Sequence, residues 1–454
     1  MSTYFESEEV RPPVSSETAD NAPVVSTEAE ETGAQRSVVG SMLLPFKVRN
    51  FSLFFGGQII STAGDALYAV ALPWLILNNG GNAQDLSIVL TAYSISRVGS
   101  VLLGGWLSDR LRPRRIMLIA DIIRSVLVAL LAALALGGHP GLLVLCAIAV
   151  PLGAFGGLFL PASSAILPDI LNDENLQAGN ALNFSSMQAA TLVGAALAGV
   201  IVAALSSSAA LAIDALTFVV SAISLAMMRT VRLTASSKPG TTAHTQTGLA
   251  TDAEEDEHPE ELLSFGRFLR TSRLIQVAFL ISIAANFCVG GLMEVALPTL
   301  AHGPMHAGAG GYGAILAGFG AGALVGGICA GMLSDIPKKG LSALLICLVQ
   351  GLTIVFLPYG GVFGAIALML IAGICNSITN VLLTTLIQLV IPRHLMGRVM
   401  GLLMFASFGS YPISLALAGV LTNAFGPAIL FPFGGATLIL AIFLGIAQKE
   451  LREL

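Results

Sequence analysis

The amino-acid sequence predicts an all-α membrane protein: twelve spans in two pseudo-symmetric six-helix bundles. Composition is the first reason. Of the 454 residues, 55% are hydrophobic and 11% charged, whereas a water-facing domain carries roughly 25% charged residues. The second is a series of apolar runs near the ~20 residues that a spanning helix needs. They lie at about 51–78, 86–108, 115–136, 141–166, 179–205, 209–228, 274–301, 311–334, 341–358, 361–390, 398–423 and 427–447. The third is the placement of positive charge. With the N-terminus inside, 20 of the 22 Lys and Arg fall on the inner side, and none falls in an outer loop. The two others, Arg97 and Arg124, lie inside spans. This is the positive-inside bias, and a miscounted span would scramble it.

The predicted organisation follows. Residues 1–46 form a Ser/Thr-rich, acidic cytoplasmic tail with the composition of a disordered segment. Residues 47–228 form the first bundle, and 229–273 a cytoplasmic linker. The linker ends in an amphipathic stretch, Leu262–Arg273, suited to the membrane surface. Residues 274–447 form the second bundle and 448–454 a cytoplasmic tail. The five cysteines all sit in apolar runs without metal-ligand spacing, so no metal site is expected. No basic stripe suits a nucleic acid. Absence of GxxxxGK[ST], HExxH and GxSxG argues against ATP-driven transport and against an enzyme.

The halves repeat. Val70-Ala71-Leu72-Pro73 returns as Val295-Ala296-Leu297-Pro298, Leu107-Ser108-Asp109 as Leu333-Ser334-Asp335, and Ala196–Gly199 as Ala416–Gly419. The three matches keep their order and nearly one offset, which points to duplicated bundles. Repeats of this kind place a substrate path at their interface.

A charge at the bilayer centre costs ~2.5–3.5 kcal/mol on insertion scales, so each one demands a reason. Asp65 sits mid-span on a polar stripe with Gln58, Ser61 and Tyr68 at helical spacing. It is the candidate proton-coupling carboxylate; a fixed ion pair with Arg97 or Arg124 is the even alternative. Arg97, Asp121, Arg124 and Asp214 read as an intramembrane charge network, more structural than catalytic. Glu294, near the outer end of span 7, is either solvated or a substrate contact. Asn376, Asn380, Thr384 and Gln388 form one face of span 10, and span 7 adds Asn286. With Gln58, Ser61, Tyr68 and Glu294 these are the cavity candidates.

After the second span stands Gly105-Trp106-Leu107-Ser108-Asp109-Arg110-Leu111-Arg112-Pro113-Arg114-Arg115. This segment resembles the G-x-x-x-D-R-x-G-R-[RK] signature of the major facilitator superfamily. Gly105, Asp109, Arg110, Arg114 and Arg115 match; Arg112-Pro113 replaces the internal glycine. Gly331–Lys339, with Asp335 and Lys338, is a weaker second copy, and Gly397-Arg398 before span 11 is a further loop motif. Ser61-x-x-Gly64-Asp65, Asp121-x-x-Arg124, Leu167-Pro168 through Asn180-Ala181 before span 5, and Ile213–Phe218 resemble the drug and siderophore exporter branch. That branch includes macrolide efflux proteins and the enterobactin exporter. Gly194-Ala195 departs from the Gly-Pro pair that antiporters of the superfamily often carry.

The resemblance implies the major facilitator fold and proton-coupled efflux of a small lipophilic organic molecule by alternating access. It also implies no cofactor beyond the proton gradient, a monomer, and a multi-pass protein of the plasma membrane with both termini cytoplasmic. Uptake symport on the same fold, and a non-transporting sensor or scaffold, are the alternatives.

Overall fold

In the computed structural model the described residues are 43–138, 140–229, 276, 279–280, 283–286, 290–332, 339–391 and 396–447. The linker from 230, both tails beyond these limits, Asp335 and Lys338 lie outside them. Among the described residues every regular element is a helix. Eleven are long and apolar enough to cross a membrane. They are α1 (Arg49–Asn78), α2 (Ala83–Arg110), α3 (Pro113–Gly137), α4 (Leu142–Ile170), α5 (Asp173–Ala204), α6 (Ser207–Met227), α8 (Gly308–Met332), α9 (Lys339–Phe356), α10 (Gly361–Val390), α11 (Met396–Phe425) and α12 (Pro427–Ile446). Between α6 and α8 stands α7 (Leu297–His302), which continues from a π-helical turn, Leu292–Ala296.

Local chemistry accounts for the helix ends. A capping box starts α2: Asn82 Oδ1 accepts from Asp85 N (3.0 Å), and Asp85 Oδ2 accepts from Asn82 N (3.0 Å). Pro113 opens α3 as its first residue, where a missing N–H costs nothing and φ is already helical. Leu111 and Arg112 are extended, with φ of −110° and −64°. The turn therefore needs no glycine, which explains the departure from the family signature.

Three boundaries differ from the sequence expectation. The tail drawn to 46 ends sooner, because Leu44–Lys47 is a 3-10 turn with Pro45 buried. Its Phe46 meets Phe51 and Phe55 edge-on, at 5.5 and 4.8 Å between centroids. Span 4 runs past 166 to Ile170 despite Pro151, Pro161 and Pro168. Span 5 starts at Asp173, not 179. Leu167-Pro168 and Asn180-Ala181 are thus helical. Polar helix ends that protrude beyond the lipid look like loop in sequence.

The two halves are built alike. In the first, α2 packs on α4, and a Cβ at Gly153 or Gly157 of α4 would strike the carbonyl of Tyr93 or Arg97. In the second, α8 packs on α10 through Gly318, Gly322 and Gly326 of α8 and Gly373 of α10. Small residues let backbones approach where lipid offers no hydrophobic drive. Gly194, where the family's Gly-Pro pair would start, packs on the Ala63–Ala66 turn of α1.

The halves meet where the loops carry no Lys or Arg. At the α5–α8 crossing, a Cβ on Gly313 would lie 2.6 Å from Gly199 Cα. At the α2–α11 crossing, a Cβ on Gly419 would run into the Ser87 side chain. Asn423 Nδ2 donates to Gln84 Oε1 (3.3 Å), and His302 Nε2 bonds Asn78 Oδ1 (2.9 Å). Trp74 stacks on Tyr312 at 5.8 Å and meets His302 edge-on at 5.5 Å.

At the basic end, Arg114 closes α6. Its Nε donates to Leu225 O and its Nη2 to Ala226 O, both at 2.7 Å. Ala226 O is among the carbonyls a helix end leaves without a partner, and Leu225 O also accepts from Met228 N at 3.3 Å. Asn50 binds Arg229 on both its N–H (3.0 Å) and carbonyl (2.8 Å). Arg114→Ala is expected to lower stability by ~1.5–3 kcal/mol, the range for a hydrogen bond to a charged donor. A thermal unfolding curve of purified protein checks this, with Arg115→Ala, an exposed neighbour, unchanged.

Candidate functional site

The centre of the first bundle is a charge cluster built by three helices. Arg124 of α3 is buried, with its guanidinium 4.0 Å from the ring centroid of Phe218 on α6 and 5.7 Å from that of Phe159 on α4. Aromatic faces attract a desolvated cation. Its Nη2 donates to Asp65 Oδ1 of α1 in an ion pair, and its Nη1 lies 3.8 Å from Asp121 Oδ1 one turn back. Asp121 and Asp214 have no exposed surface, whereas the Asp65 side chain is 49% exposed. Asp65 is therefore the hydrated face of the cluster. Asp214 of α6 sits against Gly64, where a Cβ would collide with Asp214 Oδ1 and Thr217 Oγ1. Gly64 thus brings the acid beside Asp65.

Arg97 of α2 is exposed, yet acts electrostatically on Asp65 and Arg124 of its own half and on Glu294 of the other. Its guanidinium lies 6.0 Å from the Tyr93 ring centroid, and Tyr93 lies 6.4 Å from Tyr68.

Glu294 faces this group from the second half. It accepts a hydrogen bond from the Tyr411 hydroxyl of α11 and is half-buried rather than freely solvated. Its position has a backbone cause. Pro298 lacks the N–H that would bond the Glu294 carbonyl four residues back, and the helix widens into the π turn Leu292–Ala296. Such π turns recur at functional sites. At the repeat offset, Asp65 corresponds to Gly290 and Glu294 to Ala69. The two acids thus stand about one turn apart in the superposed halves.

The other candidates divide. Gln58 and Ser61 are buried at 6% and 3% exposure, so they do not line open space in this state. The packing of α5 and α6 on α1 closes that part of the stripe. Tyr68 is half-buried beside Tyr93. Asn286 is half-buried. In α10, Asn376 is half-buried and Asn380 and Thr384 exposed. Asn380 Nδ2 donates back to the Asn376 carbonyl (3.0 Å) and Oδ1 (3.1 Å), along the helix. Gln388, Gly397 and Arg398 are helical, and Gly105 and Asp109 belong to α2; these side chains fall outside the description. Arg110 and Arg115 are exposed at the basic end. Among the described residues no cluster could hold a metal.

Sequence reasoning missed Tyr93, Tyr411, Phe218 and the Trp74–His302–Tyr312 contact. Tyr93 had a usable signal, since it precedes Arg97 by one helical turn. Phe218 stood in the Ile213–Phe218 motif without a role assigned to it, and Tyr411 had no signal, being one aromatic among many apolar residues.

The Major Facilitator Superfamily model matches residues 54–414. The chain belongs to the Major Facilitator Superfamily. Members of this superfamily are membrane transporters, not enzymes, and the protein is a multi-pass membrane transporter. It is 26% identical over 413 residues to the multidrug efflux pump Tap of Mycobacterium tuberculosis (strain ATCC 25618 / H37Rv), covering 88% of this chain and 94% of Tap. It is 25% identical over 413 residues to the enterobactin exporter EntS of Citrobacter koseri, covering 89% and 92%. Among solved structures, a bacterial homologue of the iron transporter ferroportin in an inward-facing state aligns with a TM-score of 0.63. It shares 16% identity over 88% of this chain and 98% of that one. The nucleoside transporter NupG aligns at 0.63 with 11% identity, over 88% and 98%. These superfamily structures share its fold.

Proposed function

We propose that the protein exports a small lipophilic organic molecule across a bacterial plasma membrane, driven by the proton gradient, as a monomer. Both termini are cytoplasmic, so the end where the halves interlock faces outward and the structure is the inward-facing state. The export direction and the substrate class rest on the names of the relatives, a multidrug efflux pump and an enterobactin exporter. Asp65 carries the coupling: it is a half-exposed carboxylate on a central helix, paired with a buried arginine. A carboxylate between water and a cation can exchange a proton for its ion pair as the environment alternates. Rocking of the halves exposes it first to one side and then to the other. The exposed α10 face at Asn380 and Thr384 serves the substrate as a polar part of an otherwise apolar cavity, and Glu294 is a second polar candidate.

The test uses everted vesicles, an imposed proton gradient and a fluorescent lipophilic dye. Asp65→Asn is expected to reduce gradient-driven accumulation to the level of vesicles lacking the protein, with dye–dye exchange retained. Undiminished uphill accumulation by Asp65→Asn overturns the coupling role.

A further inference from the structure

Two arginines, Arg97 and Arg124, face four carboxylates: Asp65, Asp121, Asp214 and Glu294. Not all four can be ionised together in a low-dielectric interior, because each unpaired buried charge costs several kcal/mol. Three have compensation. Asp65 holds Arg124, Asp121 lies 3.8 Å from the same guanidinium, and Glu294 accepts from Tyr411. Asp214 is different. Among the described residues it has no exposed surface and no cation within 4.0 Å, and that missing cation sets it apart, since its Oδ2 lacks a hydrogen-bond partner as both oxygens of Asp121 do. The one side chain within hydrogen-bond distance of it, among the described residues, is Thr217, whose hydroxyl already donates to the Asp214 backbone carbonyl at 2.7 Å. The 3.4 Å contact between Thr217 Oγ1 and Asp214 Oδ1 then lacks a hydrogen unless Asp214 supplies it. A buried carboxyl so placed is stable as the neutral acid.

We propose that Asp214 is a proton-binding site, which holds a proton in this state and yields it to Asp65 when Arg124 changes partner. The Asp214 O–H breaks, an O–H forms on Asp65, and Arg124 passes from the Asp65 carboxylate to the new Asp214 carboxylate. The cluster keeps its charge throughout, so the exchange never strands a bare ion. The ionisable groups facing Asp214 are Asp65 and Tyr68 on α1 and Asp121 and Arg124 on α3. Helix α5, its third neighbour, has ionisable residues only at its start, Asp173 and Glu174. The occupied site stands on this geometry alone; the hand-over to Asp65 rests on the proton-coupled reading above.

Infrared spectroscopy of the purified protein in lipid nanodiscs at neutral pH tests the site. The carbonyl stretch of a protonated carboxylic acid is expected in the wild type, lost in Asp214→Asn and kept in Asp65→Asn. Thr217→Val, which removes the one side-chain partner, should move that band to higher frequency, and it serves where Asp214→Asn does not fold. A wild type without the band, a band that survives Asp214→Asn or disappears in Asp65→Asn, or one unmoved by Thr217→Val overturns the site. In vesicles, Asp214→Asn should also lose gradient-driven accumulation while retaining exchange. Intact accumulation alongside a lost band overturns the hand-over and leaves Asp65 coupling standing; failure of Asp65→Asn to uncouple transport overturns the earlier reading but not the bound proton.

Discussion

Arg124→Ala is expected to destabilise the protein by ~3–5 kcal/mol, the cost of stripping a buried carboxylate of its partner. The arginine serves two acids at once, Asp65 in direct contact and Asp121 at 3.8 Å, and fills the space between Phe218 and Phe159. Asp121 has no exposed surface, so water cannot replace the lost cation. The hydrated Asp65 can recover part of its solvation, which holds the loss near the single-partner figure. Thermal unfolding in detergent measures this. Asp121→Asn in the Arg124→Ala background should restore much of the loss, because it removes the stranded charge. Arg124→Ala with wild-type stability would mean that Asp121 is neutral without help from the arginine.

Gly313→Val should jam the crossing of α5 and α8. The new Cβ would sit 2.6 Å from Gly199 Cα and 2.9 Å from the Ala195 carbonyl, and backbone cannot step aside as a flexible side chain can. Overpacking of this kind costs ~1–3 kcal/mol. It applies only to the state in which the halves touch here, so it shifts the balance between states rather than unfolding either bundle. At 1.4 kcal/mol per tenfold, the closed form loses about 5- to 150-fold in population. A cysteine at Ala69, in a background without the five native cysteines, reports the change. Its labelling by an impermeant thiol reagent added from the uncharged side should quicken. Gly327→Val on the same helix is the control, since its Cβ would meet only Ser377 Oγ at 3.6 Å. Equal labelling in both variants would exclude this crossing as a gate.

The charged residues were legible in the sequence as oddities, and their partners were not. Arg124 could be placed in the network with Asp121 because they lie one turn apart. Nothing along the chain chose between Arg97 and Arg124 as partner of Asp65. That choice depends on how α1 and α3 face one another, which Gly57 and Gly64 set by letting α1 lie close against α6. Likewise Glu294 read equally well as solvated or functional until α11 brought Tyr411 to it. The polar stripe of α1 had the right period, yet Gln58 and Ser61 are buried while Asp65 is hydrated. Periodicity names a face, and the depth to which neighbours cover that face is a property of the packing.

The number of crossings, the pairing of two like bundles and the short list of intramembrane charges are written along the chain. Lipid enforces them locally: each span must be apolar over its own length and satisfy its own backbone bonds. Which carboxylate takes the arginine, which is left without a cation and which end of the bundle is shut are long-range matters. They arise from contacts between residues tens to hundreds of positions apart, Asp65 with Arg124, Glu294 with Tyr411, Gly199 with Gly313. Such pairs are selected by helix packing, where small residues and close backbones act together, and no window of sequence contains both partners.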